Sequence, residues 1–267
     1  MEFYTNVARY GNTLLYRGYK DGHRFEDRVK FSPTLYTADP NGTAVTLNGV
    51  KVAPRLFNTM RDVKDYENQY NRVHGADRTL YGNKNYIAQF IYEKFPDEIQ
   101  FDRERVNVTT IDIEVASDDG FPEPDLANHE VISITAKNNI DNTYYVWGLY
   151  DYDTSKSIMQ NNSVVYKKCA NERELLIYFL AHWQSAHHCA DVVTGWNTRF
   201  FDIPYLVNRI TKVCGEDNAK KMSPWGLINM REVTVAGRKQ QAWELTGIAQ
   251  LDYLELFKKF GYSYGPQ

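Results

Sequence analysis

The sequence has few cysteines, no long apolar run and no surplus of positive charge, and each shortage removes a class of protein. Its three cysteines, Cys169, Cys189 and Cys214, are widely spaced and form no Cys-x-x-Cys pair. Neither a disulfide framework nor a thiolate zinc site is expected from them. No stretch of about 18 uninterrupted apolar residues occurs, and no basic-then-apolar leader follows Met1. Neither membrane insertion nor secretion is indicated, so a cytoplasmic protein with no membrane partner is expected. The net charge of −3 and a pI near 6.1 give no overall electrostatic case for nucleic acid. A local groove can still be basic on a neutral protein.

What is present is ordinary for a globular chain: 267 residues, 43% hydrophobic and 24% charged, enough for one large or two ordinary domains. Tyrosine is common, at 20 residues. Tyrosines stack on unpaired bases, but they equally suit strands and half-buried surfaces. His182, His187, His188 and Cys189 gather late in a predicted helix. Their spacing does not share one helical face and no second ligand pair follows, so they read as a helix end where cationic histidine suits the dipole, not as a zinc site.

Residues 2–54 alternate short β-type runs (2–10, 13–19, 23–31 and 43–47) with the turn pairs Gly11-Asn12, Asp21-Gly22, Asn41-Gly42 and Asn48-Gly49. An antiparallel meander or small barrel is expected. Thr59 then caps a helix with Met60, Val63, Tyr66, Tyr70 and Val73 on one stripe and Gly75 as its stop. A second helix from Asn85 turns Tyr86, Ile87, Phe90, Ile91 and Phe95 inward and ends at Pro96. The segment 96–100 is a plausible boundary, giving domains 1–104 and 105–267. The first is β-rich α+β.

The second part opens with the run 106–115, rich in Val, Ile and Thr, which favours a strand. Alternation then puts Asp112 and Glu114 on one face and Ile111, Ile113 and Val115 on the other. Two like charges on one face repel unless a cation sits between them or one takes a proton, and a divalent cation with oxygen ligands is the commonest such partner. The bland reading is a solvated strand end. Two further strands are expected at 131–136 and 144–149. Asn171 and Glu174 make a capping-box start to a helix whose Leu175, Leu176, Phe179, Leu180 and Trp183 face the core. A short buried strand at 191–196 leads through Asn197 to Asp202, which opens a helix striped by Ile203, Leu206, Val207, Ile210 and Val213. A hairpin spans 231–245, a last strand 248–252, and the start of a helix is expected over 254–260.

That order, three antiparallel strands and then helices alternating with strands, is the order of the ribonuclease-H-like α/β fold. Asp202 follows a buried strand and opens a helix, where ligands collect in α/β sheets. By itself it reads better as an N-cap carboxylate than as a ligand. With Asp112 and Glu114 it completes a cluster able to take two magnesium ions roughly 3.5–4 Å apart.

Here the sequence resembles a known family. Asp112-Ile113-Glu114 looks like the first, and Asn197-x-x-x-Phe201-Asp202 like the second, of three exonuclease motifs in family B DNA polymerases. Ile111-Asp112-Ile113-Glu114-Val115, Asp119-Gly120-Phe121-Pro122-Glu123-Pro124, Thr194-Gly195-Trp196-Asn197 and Leu251-Asp252-Tyr253 before Lys258-Lys259-Phe260 are similar to its T-even phage branch. The resemblance runs the length of the chain but covers only an amino-terminal domain and most of a 3′-5′ exonuclease domain. It implies proofreading of the primer 3′ end by two-metal hydrolysis with Mg2+, or alternatively Mn2+. Asp112 would bridge both ions, Glu114 would hold one and help orient the attacking water, and Asp202 would hold the second. Phe121 would stack on the terminal base of a single-stranded primer end, and Asn197 would contact the strand or fix its loop. Arg231, Arg238 and Lys239 of the hairpin would meet phosphates of primer-template DNA. A phage-encoded chain of this kind would work in the host cell cytoplasm.

One departure stands out. The family's third motif is a Tyr followed four residues later by an Asp, and after Asp202 no Tyr has that spacing: Tyr205 leads to Arg209, Tyr253 to Phe257 and Tyr262 to Pro266. The exonuclease fold is therefore expected to be incomplete at its C-terminal end. A second chain, or a further part carrying the third motif and the polymerase domains, is the expected partner. The alternatives are a stand-alone 3′ exonuclease and a non-catalytic nucleic-acid-binding subunit.

Overall fold

The computed structural model describes residues 1–74, 80–117, 120–141, 143–156, 163–235 and 237–261. The expected helix stop at Gly75 and the hairpin tip residue Ala236 lie outside them, as do the side chains of Tyr70, Val73 and Arg238. The chain divides into two compact units, Met1–Phe101 and Asp102–Gln267.

In the first unit, β1 (Glu2–Tyr10), β2 (Thr13–Lys20) and β3 (His23–Lys30) form an antiparallel meander. A second sheet, ordered β4-β6-β5, joins β4 (Thr34–Ala38), β5 (Ala44–Val45) and β6 (Lys51–Leu56). The single meander or barrel expected from sequence is therefore two three-stranded sheets. The reason lies in β4 and β6: Pro54 within β6 and Pro33 just before β4 hide both from a strand pattern, because proline suits only edges and ends. Helices α1 (Met60–His74) and α2 (Tyr86–Lys94) follow. Asn85 caps α2 by accepting from the Ala88 N–H, while Tyr86 and Phe90 are buried and Ile87, Ile91 and Phe95 pack beside them.

The second unit has a six-stranded mixed sheet ordered β10-β9-β8-β7-β11-β14. It consists of β7 (Val108–Val115), β8 (Val131–Asn138), β9 (Thr143–Gly148), β10 (Ser163–Lys168), β11 (Val192–Gly195) and β14 (Ala249–Asp252). The expected α/β architecture is present, with two differences. β10, missing from the sequence reading, adds a parallel edge strand beside β9. The last strand begins one residue late, and the helix after it is short: α6 covers Tyr253–Leu256 and a wider turn follows at Phe257–Gly261.

Helix α3 (Glu172–Trp183) buries Leu175, Leu176, Phe179, Leu180 and Trp183, and α4 (Asp202–Cys214) buries Ile203, Leu206, Val207 and Ile210. Together with Ile111, Ile113, Ile134 and Val193 they make one core. Each such side chain contributes roughly 1.5–3 kcal/mol on burial, so this cluster fixes α4, and with it Asp202, against β7. The short α5 (Glu216–Ala219) precedes the hairpin of β12 (Ile228–Val235) and β13 (Arg238–Leu245).

Helix α3 ends before the histidine cluster. His187 and His188 lie in the loop after it, and only His182 is in the last turn. The cationic helix end expected from sequence is not formed, because burial, then His188 beside it, pushes His182 down to about 4. Its ring packs against Tyr145, Trp147 and His188 instead.

Candidate active site

Strand β7 alternates as the sequence dictates: Ile111 and Ile113 are buried, whereas Asp112 and Glu114 are exposed on the opposite face. The pairing with β8 slips between Glu114 and Val115, an irregularity of the kind that re-aims side chains beside functional sites. β11 runs parallel to β7, and β14 parallel to β11, so the carboxyl ends of three adjacent strands point the same way. The segments leaving those ends form the site.

Gly195 makes the close approach possible. A Cβ there would lie 2.6 Å from the Ile111 carbonyl oxygen and 2.4 Å from Thr198 Cγ2, and φ is +157°. Only glycine fits without displacing β7. Asn197 then adopts a left-handed conformation at φ 61°, which asparagine tolerates better than most residues. Asp252, at the end of β14 and 2% exposed, fixes this loop. Its Oδ1 accepts from the Asn197 and Leu254 N–H groups and its Oδ2 from that of Arg199. From sequence Asp252 is only the end of a strand. Its role needs contacts 55 and 53 residues away.

Asp202 is the first residue of α4 and is 3% exposed; the helix N-cap is Phe201. The capping role is thus removed. The Asp202 Oδ1 accepts instead from the backbone N–H of Ile113, 3.1 Å away, the residue between Asp112 and Glu114. Burial, then the negative charge of Asp112, pushes the Asp202 carboxyl up to about 7. These three acids share a cleft of about 300 Å³ whose wall includes Phe121, Trp196, Asn197 and Phe201. Phe121 is 78% exposed, and its ring rests on Phe201 at 4.9 Å between centroids.

The polar side of α4 supports the loop that carries Phe121. The Tyr205 hydroxyl donates to the His129 carbonyl, Asn208 Nδ2 donates to Pro124 O, and Lys212 Nζ bonds Asn128 Oδ1 and Leu126 O. Arg209 donates to the carbonyls of Ala127 and Asn128 and forms a two-pronged pair with Glu172, both bonds 2.7 Å. The residues Tyr205, Asn208, Arg209 and Lys212 repeat at helical spacing. That polar stripe was available in the sequence, though not what it grips.

Arg231 and Lys239 of the hairpin do not line the cleft. Arg231 is exposed but pairs with Glu244 at 2.7 Å, and Lys239 pairs with Glu232 at 2.8 Å. Cross-strand acids thus offset the charge expected to meet phosphates. Among the described residues no helix is long and apolar enough to cross a membrane.

The family model described as DNA polymerase family B, exonuclease domain, matches residues 81–264. The chain is 29% identical to the DNA-directed DNA polymerase of Escherichia phage RB69 over 289 aligned positions, covering 99% of this chain and 32% of that protein. It is 27% identical to the DNA-directed DNA polymerase of Enterobacteria phage T4, with 99% and 31% covered. The DNA polymerase catalytic subunit of equine herpesvirus 2 matches at 26% over 40% of this chain and 10% of its own length. The chain spans about a third of the two phage relatives.

Proposed function

Because the chain belongs to the exonuclease-domain family of family B DNA polymerases, a family of metal-dependent, DNA-binding enzymes in larger polymerase assemblies, we propose that it removes mispaired nucleotides from primer 3′ ends. The polymerase part would be a segment that this chain does not contain, on the same or another polypeptide, acting in the host cell cytoplasm. The supporting observation is the Asp202–Ile113 hydrogen bond, which ties the third carboxylate to the backbone between the first two.

The donor set suits divalent cations. Burial, and then the charge of Asp112 beside it, raises the Asp202 carboxyl to about 7, and hard cations with oxygen ligands relieve that repulsion. Asp112, Glu114 and Asp202 are the residues to hold them, with Mg2+ the expected ion and Mn2+ an alternative. When bound, such ions supply Lewis-acid stabilisation for attack of water on the terminal phosphodiester. Phe121 stacks on the last base, Asn197 positions the strand, and Arg231, Arg238 and Lys239 engage duplex phosphates on the template side.

Titration calorimetry with Mn2+ or Mg2+ tests the donor set. Asp112→Ala should weaken binding more than Glu114→Ala, because Asp112 is the ligand that would serve both ions. Equal and negligible effects would remove the cluster from the mechanism. Phe121→Ala should raise KM for single-stranded ends roughly tenfold with kcat little changed, in keeping with about 1–3 kcal/mol per stacked base. A loss confined to kcat would instead mean that Phe121 acts on the chemical step.

A further inference from the structure

A second cluster of ligating side chains lies at the other end of the sheet. Asp141, in the turn between β8 and β9, faces His187 and His188 of the loop between α3 and β11. One ligating atom from each of the three falls within 4.8 Å of the others. Asp141 Oδ2 is 3.6 Å from His188 Nε2 and 3.9 Å from His187 Nε2. The Asn107 side chain, just before β7, donates to the His187 and Cys189 carbonyls. Asp112 lies five residues further along, so the cluster stands on the order of 16 Å from the carboxylate cleft at about 3.3 Å per residue.

The hydrogen bonds around His188 suit the tautomer that leaves Nε2 free for a cation. The Ser185 hydroxyl donates its one proton to the His182 carbonyl at 2.8 Å, and its oxygen lies 3.0 Å from His188 Nδ1. With that proton on the His182 carbonyl, the matching tautomer has Nδ1 donating to Ser185 and a lone pair on Nε2. This Nε2 is buried, has no hydrogen-bond partner and faces the Asp141 carboxylate. A lone pair aimed at a carboxylate oxygen is repulsive unless a cation lies between them. Asp141 is itself oriented: Oδ2 accepts from the Tyr145 hydroxyl at 3.0 Å and Oδ1 from the Thr143 N–H. Supporting hydrogen bonds of this kind, fixing both the imidazole tautomer and the carboxylate, surround ligands in metal sites.

We propose that Asp141, His187 and His188 bind a zinc-class divalent cation that clamps the β8–β9 turn to the loop leaving α3. Two imidazoles and one carboxylate suit zinc better than magnesium, which takes oxygen ligands. Tetrahedral ligands at about 2.0–2.1 Å sit roughly 3.4 Å apart, so Asp141 and His188 are nearly placed. His187, 61% exposed, turns inward to close the set, and solvent takes the fourth position. From sequence the histidines lacked a partner because Asp141 lies more than forty residues earlier, on another element.

The test is Zn2+ titration of the chain carrying Asp112→Ala and Glu114→Ala, which weakens the carboxylate site so that binding reports on this one. One Zn2+ per chain is expected, retained in millimolar Mg2+, with Co2+ giving visible bands of a nitrogen-containing site. Adding His187→Ala, an exposed change that leaves the core intact, should weaken Zn2+ binding by at least about tenfold, as should Asp141→Asn. Zinc should also raise the thermal midpoint of the parent and not of the His187→Ala form. Unchanged affinity in both variants, or no uptake at roughly 100 μM Zn2+, overturns the proposal.

Discussion

Asp202→Asn is expected to cut metal-dependent cleavage of single-stranded 3′ ends by about 1,000-fold or more while making the metal-free chain more stable at pH 8. The catalytic loss corresponds to roughly 4 kcal/mol of lost transition-state stabilisation, a reasonable sum for removing one charged ligand. The stability gain has the opposite origin. The Asp202 carboxyl is raised from 3.8 to about 7, mainly by burial and next by Asp112. Below about pH 4 it is protonated whether the chain is folded or not, and it imposes no penalty. As pH rises from 4 to 7 the unfolded chain ionises while the folded chain holds the proton, so stability falls across that window and the penalty levels off above it. Three pKa units correspond to about 4 kcal/mol. Asparagine keeps an acceptor for the Ile113 N–H but brings an amide donor that must be satisfied, offsetting about 1–3 kcal/mol. A net gain of about 1–3 kcal/mol at pH 8 should vanish or reverse at pH 4. Denaturant melts at the two pH values, with and without Mg2+, check this: the ion should stabilise the parent and leave Asp202→Asn unmoved. A variant equally stable relative to the parent at both pH values would mean that Asp202 is ionised in the free protein.

Local pattern explains what could be read from the sequence alone. β7 was legible because one of its faces is buried and the other wet, so apolar and acidic residues alternate without interruption. α3 and α4 were legible for the same reason at helical period. β10 was not: in Ser163–Lys168 only Val164, Val165 and Tyr166 are suited to a strand, and an edge strand parallel to β9 is defined by a long-range pairing that no local pattern carries. Asp112, Glu114 and Asp202 could be named from residue type and position. The raised pKa of Asp202 and the anchoring role of Asp252 could not, because both arise from burial and from amides contributed by distant segments. The hairpin shows another limit of local pattern. Arg231 and Lys239 could be named as candidate phosphate contacts by residue type, but the Arg231–Glu244 and Lys239–Glu232 pairs form only when the strands are in register.

The contact least visible in the sequence carries the largest expected cost in stability. Arg209→Met should destabilise the second unit by roughly 3–5 kcal/mol, since it strands the Glu172 carboxylate, only 9% exposed, without its partner. Glu172 also accepts from the Val131 N–H at 2.7 Å, so it anchors the first residue of β8, and Arg209 ties the carbonyls of Ala127 and Asn128 to α4. The segment from Pro124 to Asn128 hangs on that helix, and Phe121 lies at its leading edge. For a unit of this size the loss corresponds to a fall in thermal midpoint on the order of 10 °C. Pairing the change with Glu172→Gln should recover about half, because the neutral amide still accepts from Val131 and no charge is left buried. Phe121 would lose its support on Phe201 in both forms, so the raised KM for single-stranded ends should persist after stability is recovered. A cost below about 1 kcal/mol for Arg209→Met would place the pair in the class of solvent-screened surface bridges and leave the loop held by Tyr205, Asn208 and Lys212 alone.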